Sequence, residues 1–211
     1  MVAVKSWLPV TSGLATLALA SVLNAGVTTV DNLVSLLRTN NPYFASYQQI
    51  IKDVNGVIIE ESQGQVGIRG EELRWITNQP FEQVIIVSDG KISIYDPDIA
   101  QVIHRKIEES FYINPMGLLV AKNTDILSKF NVRTIDADVG LSFSLTPIGA
   151  DPIMPAFIIS FENDFLKEIN ISGEFGQLIG IKFYQSSTDI EGDVFGLNLK
   201  ALENVDVIGE R

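Results

Sequence analysis

Arg69-Gly70-Glu71-Glu72-Leu73-Arg74-Trp75, then Gln79-Pro80, then Val87-Ser88-Asp89-Gly90-Lys91 and Tyr95-Asp96-Pro97, is the stretch that decides the fold. Leu73 and Trp75 alternate with Arg74 and Ile76, as side chains do on a strand with two unlike faces. Pro80 stops that strand, since proline has no N–H to give to a ladder. Asp89-Gly90 supplies the positive φ that a tight hairpin needs. The segment reads as antiparallel sheet and carries no catalytic motif.

The same habit extends in both directions. Upstream, Tyr43, Ala45 and Tyr47 alternate with Phe44, Ser46 and Gln48, and Asn55-Gly56 is a strong hairpin signal. The pattern continues through Val66 and Ile68, Val84 to Val87, Ile92 and Ile94, and Ile99 to Ile107. Downstream, Leu141, Phe143 and Leu145 alternate with Ser142, Ser144 and Thr146. Phe157, Ile159 and Phe161, then Ile169 and Ile171, Ile179, Ile181 and Phe183, and Phe195, Leu197 and Leu199 repeat the pattern. Turn signals separate these runs at Asp138-Val139-Gly140, 149–155, Asn163-Asp164, 173–176 and Gly192-Asp193. Roughly ten or eleven half-buried strands with so few helices imply one strongly curved antiparallel sheet or an open barrel.

Two helical stretches interrupt the strands. Thr28-Thr29 caps a helix that puts Val30, Leu33, Val34 and Leu37 on one face and ends near Asn40-Asn41-Pro42. Between residues 113 and 129, Asn114-Pro115 forms an N-cap and first-turn pair, and Met116, Leu118, Leu119 and Val120 form an apolar patch. Thr124 caps a second short helix through Ile126, Leu127 and Phe130. A sheet that otherwise turns in a few residues has no topological need for this insertion. It is either a plug that completes the core or a lid over a cavity.

Composition bounds the function. The chain has 211 residues, 46% hydrophobic and 19% charged, enough for one sizeable core and one domain. Its formal net charge is -11, a balance that phosphate backbones and anionic bilayer surfaces repel, so nucleic acid is not an expected partner. Residues 1–25 read as an export signal: Lys5 precedes an apolar run from Trp7 to Leu23, with small-residue cleavage sites after Ala20 or Ala25. As a membrane anchor the run is interrupted by Pro9, Thr11, Ser12 and Gly13 and is short of the roughly 20 apolar residues of a span. The chain has no cysteine, so neither disulfides nor an acyl anchor on cysteine is available to it.

Chemistry is sparse. His104, the one histidine, lies in an alternating strand beside Arg105 and Lys106, with no neighbouring partner in sequence that makes it a base or a metal ligand. Asp96 with Asp98, and Asp136 with Asp138, are carboxylate pairs at turns, where Asp is favoured for its backbone hydrogen bonds. No phosphate loop or nucleophile elbow occurs. An enzyme is not expected, and neither a metal nor a cofactor is implied.

The Ala45-Ser46-Tyr47-Gln48-Gln49 stretch and the segment from Gly64 to Lys106 resemble the LolA family of periplasmic lipoprotein carriers. The resemblance implies a mainly β fold with short helices: an open, incomplete antiparallel barrel, covered by an N-terminal helix and a helical lid at 115–121. It implies a single carrier domain over residues 26–211, in the periplasm and monomeric. The interior would receive the acyl chains of lipoproteins, with Tyr47, Leu73, Trp75, Ile86, Met116, Leu118 and Leu119 as cargo-binding residues and Arg69 as the lid latch. Implied partners are acylated lipoproteins, an inner-membrane ABC-type lipoprotein release complex and the outer-membrane receptor LolB. Three features depart from the family. Gly70 stands where the family has proline, one residue is missing between Lys91 and Tyr95, and the C-terminal aromatic segment is reduced to Phe195-Gly196-Leu197. A one-residue deletion turns side chains to the other face of a sheet unless a bulge absorbs it. Two other readings stand beside the carrier: a lipid- or protein-sensing module on the same half-barrel, and a small-ligand hydrolase dependent on His104.

Overall fold

Period-two alternation from Tyr43 to Ser187 builds one continuous sheet. The computed structural model describes residues 28–108, 111, 115–121, 124–135, 137, 139–149, 154–173, 176–189 and 205–209. The signal at 1–25, the Asn114 cap, Asp136, Asp138, the Gly192-Asp193 turn and the Phe195, Leu197, Leu199 run lie outside the described residues. Helix α1 is Thr29–Thr39, followed by β1 Tyr43–Lys52, β2 Ile58–Arg69, β3 Glu72–Gln79, β4 Gln83–Ser88, β5 Lys91–Asp96 and β6 Gln101–Lys106. Helix α2 is Pro115–Val120, and a 3-10 helix covers Thr124–Lys129. Strands β7 Phe130–Ile135, β8 Leu141–Pro147, β9 Phe157–Glu162, β10 Phe165–Ser172, β11 Leu178–Ser187 and β12 Asp206–Ile208 complete the order.

The twelve strands lie in the order β12-β6-β5-β4-β3-β2-β1-β11-β10-β9-β8-β7. The first and last strands of that order do not pair, so the barrel stays open. Its curvature is visible in the core. Leu73 and Trp75 of β3 share one hydrophobic cluster with Phe143 and Leu145 of β8, Leu33 of α1, and Leu118 and Leu119 of α2. Both helices therefore sit on the concave side, α1 against β7 and β10 and α2 against β2.

Local chemistry explains the elements. Thr28 caps α1 reciprocally: its hydroxyl accepts from the Asp31 N–H at 3.1 Å, and the Asp31 carboxylate accepts from the Thr28 N–H at 3.2 Å. The Thr28 hydroxyl also donates to the Asp31 carboxylate at 2.7 Å, and this bond, with the one from the Thr28 N–H, holds the Asp31 carboxyl below its ordinary pKa. Between β1 and β2, Asp53 accepts from the N–H groups of Asn55 and Val57, both at 2.9 Å, and Gly56 takes φ +80°. Asp89 and Gly90 have φ 51° and 72°, the two positive values of a two-residue hairpin between β4 and β5. Gly64 has a different reason to be glycine. At the register shift between β2 and β3, a Cβ there would meet the Ile76 carbonyl oxygen at 1.7 Å.

Several expectations need correction. Phe130 does not extend the second short helix; it opens β7, because its backbone pairs with Pro147 of β8. Val30 turns away from the face of α1 that buries Leu33 and is 38% exposed. Ile99 lies in the turn before β6 and is 64% exposed. The sheet is also not wholly antiparallel: β12 runs parallel to β6, with Asp206 opposite Gln101.

Candidate functional site

Strand direction gives the half-barrel two ends. At one end α1 runs into β1, and the turns 70–71, 89–90 and 163–164 gather there. At the other lie the turns 53–57, 80–82 and 97–100, together with Ser172 and Leu178, where β10 ends and β11 begins. The two ends are built differently.

The helix end is closed by polar bonds. Asn40 is 4% exposed, and its side chain is satisfied on both sides. Nδ2 donates to the carbonyls of Leu36 at 2.8 Å and Asp164 at 2.7 Å, while Oδ1 accepts from the Leu166 N–H at 2.8 Å. Asn41 makes a reciprocal pair with the next hairpin: Nδ2 donates to the Gly70 carbonyl at 2.8 Å, and Oδ1 accepts from the Gly70 N–H at 2.6 Å. The buried Tyr43 hydroxyl donates to the Leu166 carbonyl at 2.8 Å and lies 3.0 Å from Ser186 Oγ. Burial pushes the Tyr43 phenol well above the ordinary tyrosine range.

The other end is a mouth. A cleft of about 800 Å³ enters the concave face there, floored by Trp75, Tyr47, Ile85, Ile169, Ile171, Ile179 and Ile181, with Pro115 and Met116 of α2 on its inner side. Tyr47 and Trp75 stack with ring centroids 4.3 Å apart, and the Tyr47 hydroxyl shares a 2.8 Å hydrogen bond with Thr77 Oγ1. Burial raises the Tyr47 pKa as well. Glu60, Glu82 and Asp96 stand among the lining residues, and Ile59 and Phe81 remain 54% and 71% exposed beside them. The cleft thus has apolar depth and an acidic rim.

Helix α2 has its two ends in different spaces. Pro115 and Met116 line the main cleft, whereas Leu118, Leu119 and Ala121 line a second one of about 450 Å³. Its other walls are Val34, Leu37 and Arg38 of α1, Asn41, and the hairpin residues Gly70 and Glu71.

The structure distributes the sequence-predicted site residues among these spaces. Tyr47, Trp75 and Met116 line the main cleft, and Leu118 and Leu119 the second. Leu73 is fully buried in the core. Ile86 falls on the opposite face. Trp75 faces inward and pairs with Ile85, the β3–β4 ladder has no register shift, and Ile86 lies opposite Arg74 and Ser93. The residue that lines the cleft at this level is Ile85. Arg69 ends β2 immediately before the hairpin that edges the second cleft, and its Nη2 pairs with Glu72 Oε2 at 3.0 Å.

His104 faces outward, its Nδ1 2.8 Å from Ser93 Oγ, and neither residue lines a cleft. Among the described residues no group of three or more His, Cys, Asp or Glu side chains is placed to hold a metal ion, and no helix is long and apolar enough to cross a membrane. The Asn40–Asn41 bonds were invisible to sequence reasoning beyond a helix-end signal.

The profile of the family described as outer membrane lipoprotein carrier protein LolA matches residues 38–196. A protein of Chromohalobacter salexigens named outer-membrane lipoprotein carrier protein is 27% identical over 197 residues, covering 93% of this chain and 94% of that one. A protein of the same name from Francisella philomiragia is 31% identical over 186 residues, covering 85% of this chain and 88% of that one. In overall shape the chain is similar to an uncharacterized conserved protein from Thermus thermophilus, with a TM-score of 0.52 at 11% identity, over 86% of this chain and 99% of that one.

Proposed function

This chain belongs to the LolA family of outer membrane lipoprotein carrier proteins, and from that premise we infer that it is a periplasmic carrier of acylated lipoproteins. The observation that carries the reading is the apolar cleft of about 800 Å³ on the concave face, open at the mouth. Isoleucines supply most of its floor, and such a surface shields hydrocarbon without demanding a particular shape. At about 0.8 kcal/mol per buried methylene, three long acyl chains represent tens of kcal/mol of transfer free energy. Cargo in transit therefore needs a cover.

Residues 1–25 act as the export signal in this reading, and residues 26–211 form the carrier domain, working as a monomer without enzymatic chemistry. Cargo arrives from an inner-membrane ABC-type release complex and leaves to the outer-membrane receptor LolB. Release requires that opening cost little, on the scale of one or two charge-assisted hydrogen bonds. Arg69, beside the hairpin at the edge of α2, is the group proposed to latch the lid; its neighbour Gly70 already ties that hairpin to Asn41.

The test is whether the mature protein forms a water-soluble one-to-one complex with a triacylated lipoprotein, with the same protein lacking acyl chains as control. Acyl-dependent binding is the expected result. Equal binding of the unacylated form, or none of either, would move the function to a protein-sensing module on the same fold.

A further inference from the structure

The two clefts that meet at α2 have a combined shape that the carrier reading alone does not explain. Resting on that reading, we propose that the cargo's acyl chains occupy two compartments divided by α2. The main cleft takes two chains, and the compartment between α1, α2 and the β2–β3 hairpin takes the third.

Capacity is the first argument. A dry apolar cavity of about 150 Å³ holds benzene, six carbons, which sets a scale of roughly 25 Å³ per carbon. On that scale the main cleft of about 800 Å³ holds at most about 32 carbons, two chains of roughly myristoyl length or slightly more. The second, of about 450 Å³, holds at most about 18 carbons, one such chain. A triacylated cargo overfills the first compartment alone and fits the pair.

Lining is the second. Val34 and Leu37 on one wall face Leu118 and Leu119 on the other, and the charged residues of that lining, Arg38 and Glu71, belong to α1 and the hairpin. This is a hydrocarbon slot with polar sides. Continuity is the third argument. The element that reaches both compartments is a helix of six residues, about 9 Å long at 1.5 Å per residue. Its first two residues already line the main cleft, and Leu118 and Leu119 already line the slot. Displacing this one helix joins the two spaces, so no chain has to cross open water between them.

Two synthetic lipopeptides of the same peptide sequence, one with two palmitoyl chains and one with three, separate the compartments. Dissociation constants are measured for the full-length mature protein and for variants that fill one compartment each. Leu37→Trp fills the slot from α1; it is expected to weaken the triacylated probe at least about tenfold while leaving the diacylated probe within about twofold. Ile171→Trp, in the main cleft, is expected to weaken both. Should Leu37→Trp fail to fold by its thermal melt, Val34→Phe fills the same slot from the preceding turn of α1 and carries the test. Equal loss of both probes in the slot variant, or loss of neither, overturns the two-compartment assignment while leaving the carrier reading intact. Failure of the unaltered protein to bind either probe overturns both.

Discussion

The helix end and the mouth of this half-barrel use the same strands for opposite purposes. At the helix end β1, β2 and β10 are tied to α1 through Asn40, Asn41 and Tyr43, and Leu33 is fully buried. At the mouth β10 and β11 present the partly buried Ile171 and Ile179 to a cleft that β1 and β3 line with Tyr47, Gln49, Trp75 and Thr77, and Phe81 and Ile59 stand in water. Polar bonding is thus concentrated away from the mouth. Apolar surface without a partner is concentrated at it. A protein that must hold hydrocarbon and then release it gains from this division, because filling or emptying the mouth does not disturb the bonds that keep the sheet folded.

Matched truncations at the two ends are the strongest way to break that contrast. Leu33→Ala removes three carbons from a fully packed site and is expected to cost about 2–5 kcal/mol. Ile179→Ala removes as many from the cleft wall, where the side chain is only partly covered, and is expected to cost about 1 kcal/mol or less, while weakening a triacylated lipopeptide several-fold. Urea midpoints and lipopeptide dissociation constants measured on both variants check this. Equal destabilisation would mean that the mouth is ordinary core.

Asn40→Ala comes next. It leaves the Leu166 N–H and the Asp164 carbonyl without their buried partner, and an orphaned buried polar group costs about 1–3 kcal/mol. A loss of about 3 kcal/mol is expected. For a domain of this size that lowers the melting temperature by roughly 6–12 °C. Differential scanning calorimetry reads it directly, and a loss under about 0.5 kcal/mol would show that the asparagine does not hold the end closed.

Tyr43→Phe is smaller and depends on pH. The phenol's pKa in the fold lies above its ordinary value because burial disfavours the phenolate. The neutral hydroxyl therefore contributes its stability in full below the unfolded pKa near 10, and that contribution falls as pH rises beyond it. The substitution is expected to cost about 1 kcal/mol at pH 8, from the lost bond to Leu166. It is also expected to flatten the alkaline limb of the stability curve, measured as urea midpoints between pH 8 and pH 11. Tyr47 shifts in the same direction, so part of the limb remains.

The closed end and the mouth were also unequally legible in sequence. Alternation from Tyr43 to Phe183 revealed the strands, the inner face and the hairpin at Asp89-Gly90, because period two and positive φ are local properties of the chain. Across the turn at 80–82 the β3–β4 register, which has no bulge, pairs Trp75 with Ile85, whereas the family resemblance implied Ile86. Phe130 carried no local mark of its role, since its strand exists only through pairing with β8. Asn40-Asn41-Pro42 was readable as a helix stop. Its bonds to Gly70 and Asp164 were not, because the latter partner lies 124 residues away and hydrogen-bonding geometry leaves no periodic trace. Polar closure is therefore the part of this fold that sequence conceals, and apolar lining the part it displays.

Phe81→Ser makes the smallest change to the fold and the sharpest test of the mouth. The ring is 71% exposed in the turn between β3 and β4, so its removal opens no cavity and leaves stability within about 0.5 kcal/mol. It nevertheless lines the cleft, and a bound acyl chain would take part of its exposed surface out of water. Burying a phenylalanine completely is worth about 1.5–3 kcal/mol. Partial burial at a rim predicts a three- to tenfold weaker complex with a triacylated lipopeptide, at an unchanged urea midpoint. A drop in stability would place Phe81 in the core and erase the boundary between the two ends. Unchanged affinity would move the acyl chains deeper, away from the rim and towards α2, and would leave Phe81 as a surface residue whose exposure serves no cargo.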